Sequence, residues 1–272
     1  MSRIHDALKK LEAERAGGNG GSSGNGHGNG ANGNGRRRVW QWLSGRGKRN
    51  GQTAPVNFDL GPEVEEAYQR LGTSLLLPAG GVPADQPKLL GVVASRHGEG
   101  TTTTAAVFAS ILVRRRGGRV AVVEANLRTP SFPTAFGIQP VPGLAELIEG
   151  KAALGAAAQV TSVPNLFAIA GGESTSPAST LFDSPGLPAL LTQVREQFDF
   201  TIVDLPPVNV YGDALILGPR LDAAIIVIEA DATRVPDVER ARRTLERSGV
   251  RFVGSVLNRR RNYIPAFLEE MI

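Results

Sequence analysis

From residue 62 to residue 258 the chain alternates between two textures. Short apolar runs, "LLGVVAS" (89–95), "RVAVVEA" (119–125), "LFAIAG" (166–171), "FTIVDL" (200–205), "AAIIVIEA" (223–230) and "RFVGSVLN" (251–258), are separated by longer stretches. Strand-like runs divided by helix-length segments predict βαβ units and a parallel sheet covered by helices on both faces. "PEVEEAYQRLGTSLLL" opens with Pro62 and three early glutamates, a helix-start signal. "TTTTAAVFASILVRRR" (101–116) reads as a second helix. In "VERARRTLERSG" (238–249), Val238, Ala241 and Leu245 form a buried stripe that leaves the arginines mostly towards solvent. The fold class is α/β, a doubly wound, mostly parallel sheet.

The first 50 residues have a different character. "MSRIHDALKKLEAER" places Ile4, Leu8 and Leu11 on one face of a short helix with Ser2 as N-cap. So short a helix is marginal alone, which leaves a docking helix or a frayed tail as its readings. "GGNGGSSGNGHGNGANGNG" (17–35) is a Gly/Asn tether unable to bury a core. "RRRVWQWLSGRGKR" (36–49) sets Val39, Trp40, Trp42 and Leu43 among six basic residues, a composition suited to an anionic lipid surface or a partner. A solvated tail and nonspecific nucleic-acid contact are its alternatives. The expected organisation is an amphipathic helix at 1–16, a linker with a basic Trp-containing segment at 17–50, and a folded domain at 51–272.

Charge sharpens this division. The net charge of +4 resolves into +7 for residues 1–50 and −3 for the remainder. The basicity belongs to the leader, which argues against a specific nucleic-acid face on the folded body. No cysteine is present, so disulfides, thiolate metal sites and cysteine-held clusters are excluded. No apolar run approaches the ~18–20 residues that span a bilayer, and no signal-peptide core opens the chain. The expected location is cytoplasmic, peripheral at the inner face of the cell membrane.

The candidate chemistry lies between the first strand and the helix after it. "SRHGEGTTTTA" (95–105) has the strand–loop–helix context of a phosphate-binding loop, in which glycines expose backbone N–H groups, a lysine reaches the phosphates and a hydroxyl holds magnesium. Gly98, Gly100 and the Thr102 hydroxyl are present, but Thr101 stands where the lysine belongs. Two further strands end in acidic or amide side chains, "RVAVVEANLRTPSF" in Glu124 and Asn126 and "FDFTIVDLPPV" in Asp204. Ends of this kind face the ligand crevice of an open α/β sheet.

These blocks, with "EEAYQRLGTSLLL", "GLAELIEG", "LFAIAGGESTSPASTLF", "FDFTIVDLPPVNVYGDA" and "VGSVLNRRR", resemble the bacterial tyrosine kinases, P-loop proteins of capsular and extracellular polysaccharide synthesis and export. The resemblance covers about Glu65 to Leu268. It implies a P-loop NTPase type of sheet with ATP and Mg2+ as cofactors. It assigns Gly98, Glu99, Gly100, Thr101, Thr102 and Thr103 to the phosphates, Asn258 to the adenine, Thr102 and Asp204 to the metal, and Glu124 and Asp204 to catalysis. It further implies an inner-membrane polysaccharide chain-length or export protein as partner, and leaves homo-oligomerisation open.

The departures are as informative. Thr101 replaces the family's lysine, and Glu124 and Asn126 replace two aspartates that serve magnesium and the attacking hydroxyl. The family's Glu-x-x-Arg-x-x-Arg assembly motif reads Glu66, Gln69 and Gly72. Tyr263 stands alone where the family carries a tyrosine cluster. The expected function is a regulator or scaffold with weak or absent catalysis. The alternatives are an active ATP-dependent tyrosine kinase using Arg96 and Glu124 as replacements, and a positioning ATPase of the partition type.

Overall fold

The structure, a computed structural model, describes residues 61–76 and 88–260. The helix expected at 1–16, the linker at 17–50 with the basic segment 36–49, and Tyr263 lie outside the described residues. Among the described residues, α1 spans Pro62–Leu76, β1 Leu89–Ala94, α2 Thr101–Arg116 and β2 Val120–Glu124. Then follow α3 (Phe132–Phe136), α4 (Leu144–Ile148), α5 (Leu154–Ala157), β3 (Gln159–Val160), β4 (Leu166–Ile169), α6 (Ala178–Phe182) and α7 (Gly186–Gln197). The chain continues through β5 (Phe200–Asp204), α8 (Asp213–Leu217), β6 (Ala223–Glu229), α9 (Val235–Arg247) and β7 (Phe252–Asn258).

The seven strands lie in the order β3-β4-β2-β5-β1-β6-β7, with every neighbouring pair parallel except β3 with β4. The six apolar runs became β1, β2, β4, β5, β6 and β7. The two-residue β3 was not anticipated, since Gln159 and an exposed Val160 carry no strand pattern.

Two cores sandwich the sheet because successive strand side chains leave by opposite faces. Val92 joins a core with Ala105, Phe108 and Ile202, while its neighbour Val93 joins one with Leu187, Leu190, Ala241 and Leu245. Helix α2 is buried without interruption from Thr103 to Val113, the state expected of a helix lacking a polar stripe. It can be so because α1 covers it, with Tyr68 and Leu71 against the same core. Burial pushes the Tyr68 hydroxyl above the ordinary tyrosine range. Gly72 is buried where a Cβ would lie 3.5 Å from the Phe108 ring, so this position serves packing. In α9, Ala241 and Leu245 are buried and Arg242 and Arg243 pair outside with Glu239.

Candidate functional site

The carboxyl ends of β1, β2 and β5 converge on one cleft. After Ala94 the chain turns through Ser95–Gly100, with Gly98 at φ 86° and Gly100 at φ 93°. Side chains avoid these left-handed conformations, and alternating them with right-handed residues curls backbone N–H groups into an anion-receiving nest. Thr101 then begins α2, whose 16 residues aim the positive end of a helix dipole at the same place. The cleft encloses about 500 Å³. Gly98, Gly100 and Thr101–Thr103 line one side, Asn126, Thr129, Ser131 and Thr134 another, and Arg96, His97 and Arg259 the rim.

Thr102 and Asp204, 102 positions apart in sequence, meet here. The Thr102 hydroxyl donates to Asp204 Oδ2 at 2.6 Å. Asp204 is 1% exposed, and its Oδ1 is buried with no hydrogen-bond partner. Burial, with the Glu124 carboxylate adding to it and the Thr102 hydroxyl opposing it, pushes Asp204 up to about 8. A buried carboxylate with one orphaned oxygen beside a hydroxyl is a donor set that fits Mg2+, since a hard cation takes oxygen ligands.

Glu124 is directly opposite Asp204 in the β2–β5 register, yet it is differently employed. Its Oε1 accepts the backbone N–H groups of Ser131 and of Phe132, the latter at 2.8 Å, and its Oε2 accepts that of Gly171 at 3.0 Å. Burial raises its pKa against the opposing effect of these three amides. The glutamate carries its carboxylate into the joint between β2, the start of α3 and the loop after β4, off the lining of the cleft. Asn126 does line the cleft; its Nδ2 donates to Thr129 Oγ1 at 3.0 Å and its Oδ1 is buried without a partner.

The cations around the loop have other attachments. Arg96 donates from Nη2 to the Ala232 carbonyl at 3.0 Å, with Nε 3.9 Å from Glu99 Oε1. Arg259 pairs with Glu229. Arg128 makes a two-point bond to Asp213, 2.7 Å from Nε and 3.2 Å from Nη2, and lies 4.7 Å above the Tyr211 ring. That ring meets His97 edge-on at 5.3 Å. Lys151 pairs with Glu149, and Lys88 precedes β1 at the end of the sheet away from the loop. Among the described residues no lysine lines the cleft.

Asn258 donates from Nδ2 to the Glu99 carbonyl at 2.9 Å and accepts the Arg259 N–H at its Oδ1. It thus reaches the phosphate loop from the end of β7. The expected residues Gly98, Gly100 and Thr101–Thr103 line the cleft, and Asp204 meets Thr102 there. Glu99 and Glu124 turn their carboxylates into the protein. Sequence reasoning did not find the Arg128–Asp213–Tyr211 group, whose signal in the sequence is an arginine two positions after Asn126.

The chain is 28% identical over 198 residues to the tyrosine-protein kinase CpsD of Streptococcus pneumoniae, covering 72% of this chain and 85% of that relative. It is 27% identical to the tyrosine-protein kinase YwqD of Bacillus subtilis over 64% of this chain and 73% of that one. Among solved structures, the kinase domain of the Escherichia coli tyrosine kinase ETK superposes with a TM-score of 0.71 at 22% identity, covering 83% of this chain and 89% of that domain. The septum site-determining protein MinD of Pyrococcus horikoshii, complexed with Mg-ADP, gives 0.53 at 20% identity over 68% of this chain and 76% of that one, a likeness of fold. No protein-family model matches.

Proposed function

We propose that this chain, a protein of the capsule-type bacterial tyrosine kinase family, acts in capsule or exopolysaccharide synthesis or export as a regulator with weak or absent phosphoryl transfer. One observation carries the reading. Thr101 occupies the lysine's place, and Arg96, Arg128 and Arg259 are each committed to other partners. Phosphoryl transfer depends on positioning and on neutralising charge. Removal of one preorganised donor of this kind costs ~3–4 kcal/mol in the transition state.

ATP with Mg2+ would supply the transferable phosphoryl group and the neutralising cation. The nest at Gly98 and Gly100 would receive phosphate oxygens through backbone N–H groups, and Thr102 with Asp204 would hold the metal. Glu124, saturated by three backbone N–H groups, organises the wall of the cleft. Asn126 orients a hydroxyl without removing its proton. Together these features favour retained nucleotide binding over turnover.

The proposed partner is an inner-membrane polysaccharide chain-length or export protein. Residues 36–49 would hold the chain at the inner membrane surface and raise its effective concentration there. Among the described residues no helix is long and apolar enough to cross a membrane.

Calorimetric titration with ATP and Mg2+, run on the native protein and on Thr101→Lys, with radiolabel transfer measured alongside, tests the reading. Binding without transfer in the native protein, tightened by the lysine, is the expected result. Phosphotyrosine formation by the native protein, abolished by Asp204→Ala, would replace the regulator with an active kinase.

A further inference from the structure

The loop that should grip phosphate is itself gripped from beneath. Glu99 lies within it, 1% exposed. Its Oε2 accepts the Ser95 N–H at 2.7 Å and the Arg96 N–H at 3.0 Å, and its Oε1 accepts the Ser95 hydroxyl at 2.8 Å and the Thr233 hydroxyl. Thr233 belongs to the turn between β6 and α9, 134 positions away in sequence, and its oxygen also accepts the Glu229 N–H at 3.1 Å. Asn258 holds the Glu99 carbonyl at 2.9 Å, and Arg96 bonds the carbonyl of Ala232, Thr233's neighbour. The Ser95 and Arg96 bonds close the loop on itself, and those of Thr233, Asn258 and Ala232 tie it to the turn after β6 and to the end of β7.

We infer that Glu99 and Thr233 are positioning residues that lock the phosphate loop in its anion-receiving shape without any ligand, and that the β6–α9 turn sets the order of the loop. The physical reason is the cost of burying a carboxylate. Charge so fully withdrawn from water is tolerated only when hydrogen-bond donors surround it. Opening the loop would strip Glu99 of the Ser95 and Arg96 amides at once, so the carboxylate penalises every open conformation. In a phosphate loop with a lysine, the bound phosphates can draw the loop closed through the cation. Here Thr101 cannot, and Glu99 does the closing from inside. The β6–α9 turn thereby becomes a lever: a perturbation at Ala232–Arg234, where Ala232 and Arg234 are exposed, reaches the cleft through Thr233 with no contact to the ligand.

Hydrogen exchange of the full chain without nucleotide, followed by mass spectrometry, tests this independently of whether ATP binds. The Ser95 and Arg96 amides should be protected in the native protein. In Thr233→Val they should exchange roughly tenfold to a hundredfold faster, the range expected for loss of a bond to a charged group, while β2 and β5 keep their protection. Thr233→Ser retains the hydroxyl and should keep native rates, and Glu99→Gln should exceed Thr233→Val in the same two amides. Unprotected Ser95 and Arg96 in the native protein, or native rates in Thr233→Val, would overturn the inference. So would a Thr233→Val effect spread equally over the strands. With Thr101 in place, Thr233→Val should weaken ATP·Mg2+ binding by a similar factor; that arm alone rests on the proposed nucleotide site.

Discussion

Asp204→Asn should stabilise this protein at alkaline pH and do little at acid pH. An ordinary aspartate titrates near ~3.9, whereas Asp204 in the folded chain is pushed up to about 8, mainly by burial. Between those values the folded state holds a proton that the unfolded chain has released. The stability due to that proton is fully present below ~pH 4 and is lost as the pH rises through about 8. The slope approaches ~1.4 kcal/mol per pH unit and flattens near the upper end, so from pH 5 to pH 8 the native protein should lose ~3 kcal/mol relative to the variant. At 1% exposure little solvent screening reduces this figure. The asparagine still offers an oxygen to the Thr102 hydroxyl, and the raised Glu124 is common to both proteins. Thermal unfolding followed by circular dichroism in EDTA from pH 5 to pH 8 measures the difference directly, and ~3 kcal/mol corresponds to ~6–12 °C in a domain of this size. Mg2+ added at pH 8 should raise the melting temperature of the native protein and leave Asp204→Asn unmoved. Parallel pH profiles for the two proteins would refute the reasoning.

Arg128→Ala should cost ~1.5–3 kcal/mol in urea denaturation, because it leaves the buried Asp213 carboxylate without its two-point partner, the 41% exposure of the Arg128 side chain keeping the cost below that of a fully buried pair. Arg128→Lys should recover only part of that, a single ammonium being unable to reproduce the fork. Gly143→Ala should destabilise by ~1–3 kcal/mol in the same assay, since its Cβ would fall 2.4 Å from both the Ala170 carbonyl oxygen and the Gly172 nitrogen. Removal of residues 1–50, which carry the basic Trp-containing segment, should lower co-sedimentation with anionic vesicles at least tenfold, and unchanged recovery would eliminate the tether.

Much of the architecture was written in local pattern. Six strands were legible because each is an apolar run of strand length, five of them largely buried and β7 at the edge alternating half-buried with exposed positions, and α2 was legible from the loop to its terminal arginines. β3 was not, because a two-residue edge pairing is chosen by its neighbour β4 and leaves no hydrophobic signature in Gln159–Val160. The glycines, Thr102 and Asp204 were likewise readable from motif position, since a strand–loop–helix order fixes where such residues must stand. What the side chains do there was decided by the tertiary structure. Glu124 resembles a replacement acid in sequence; one additional methylene and three backbone N–H groups supplied by Ser131, Phe132 and Gly171 make it a brace. Arg96 resembles a replacement cation, until Ala232 from a distant turn supplies the carbonyl that holds it. Linear order specifies which groups reach the carboxyl end of the sheet. Only the folded chain brings together the donors and acceptors that compete for them, and that competition determines which groups remain available to a ligand.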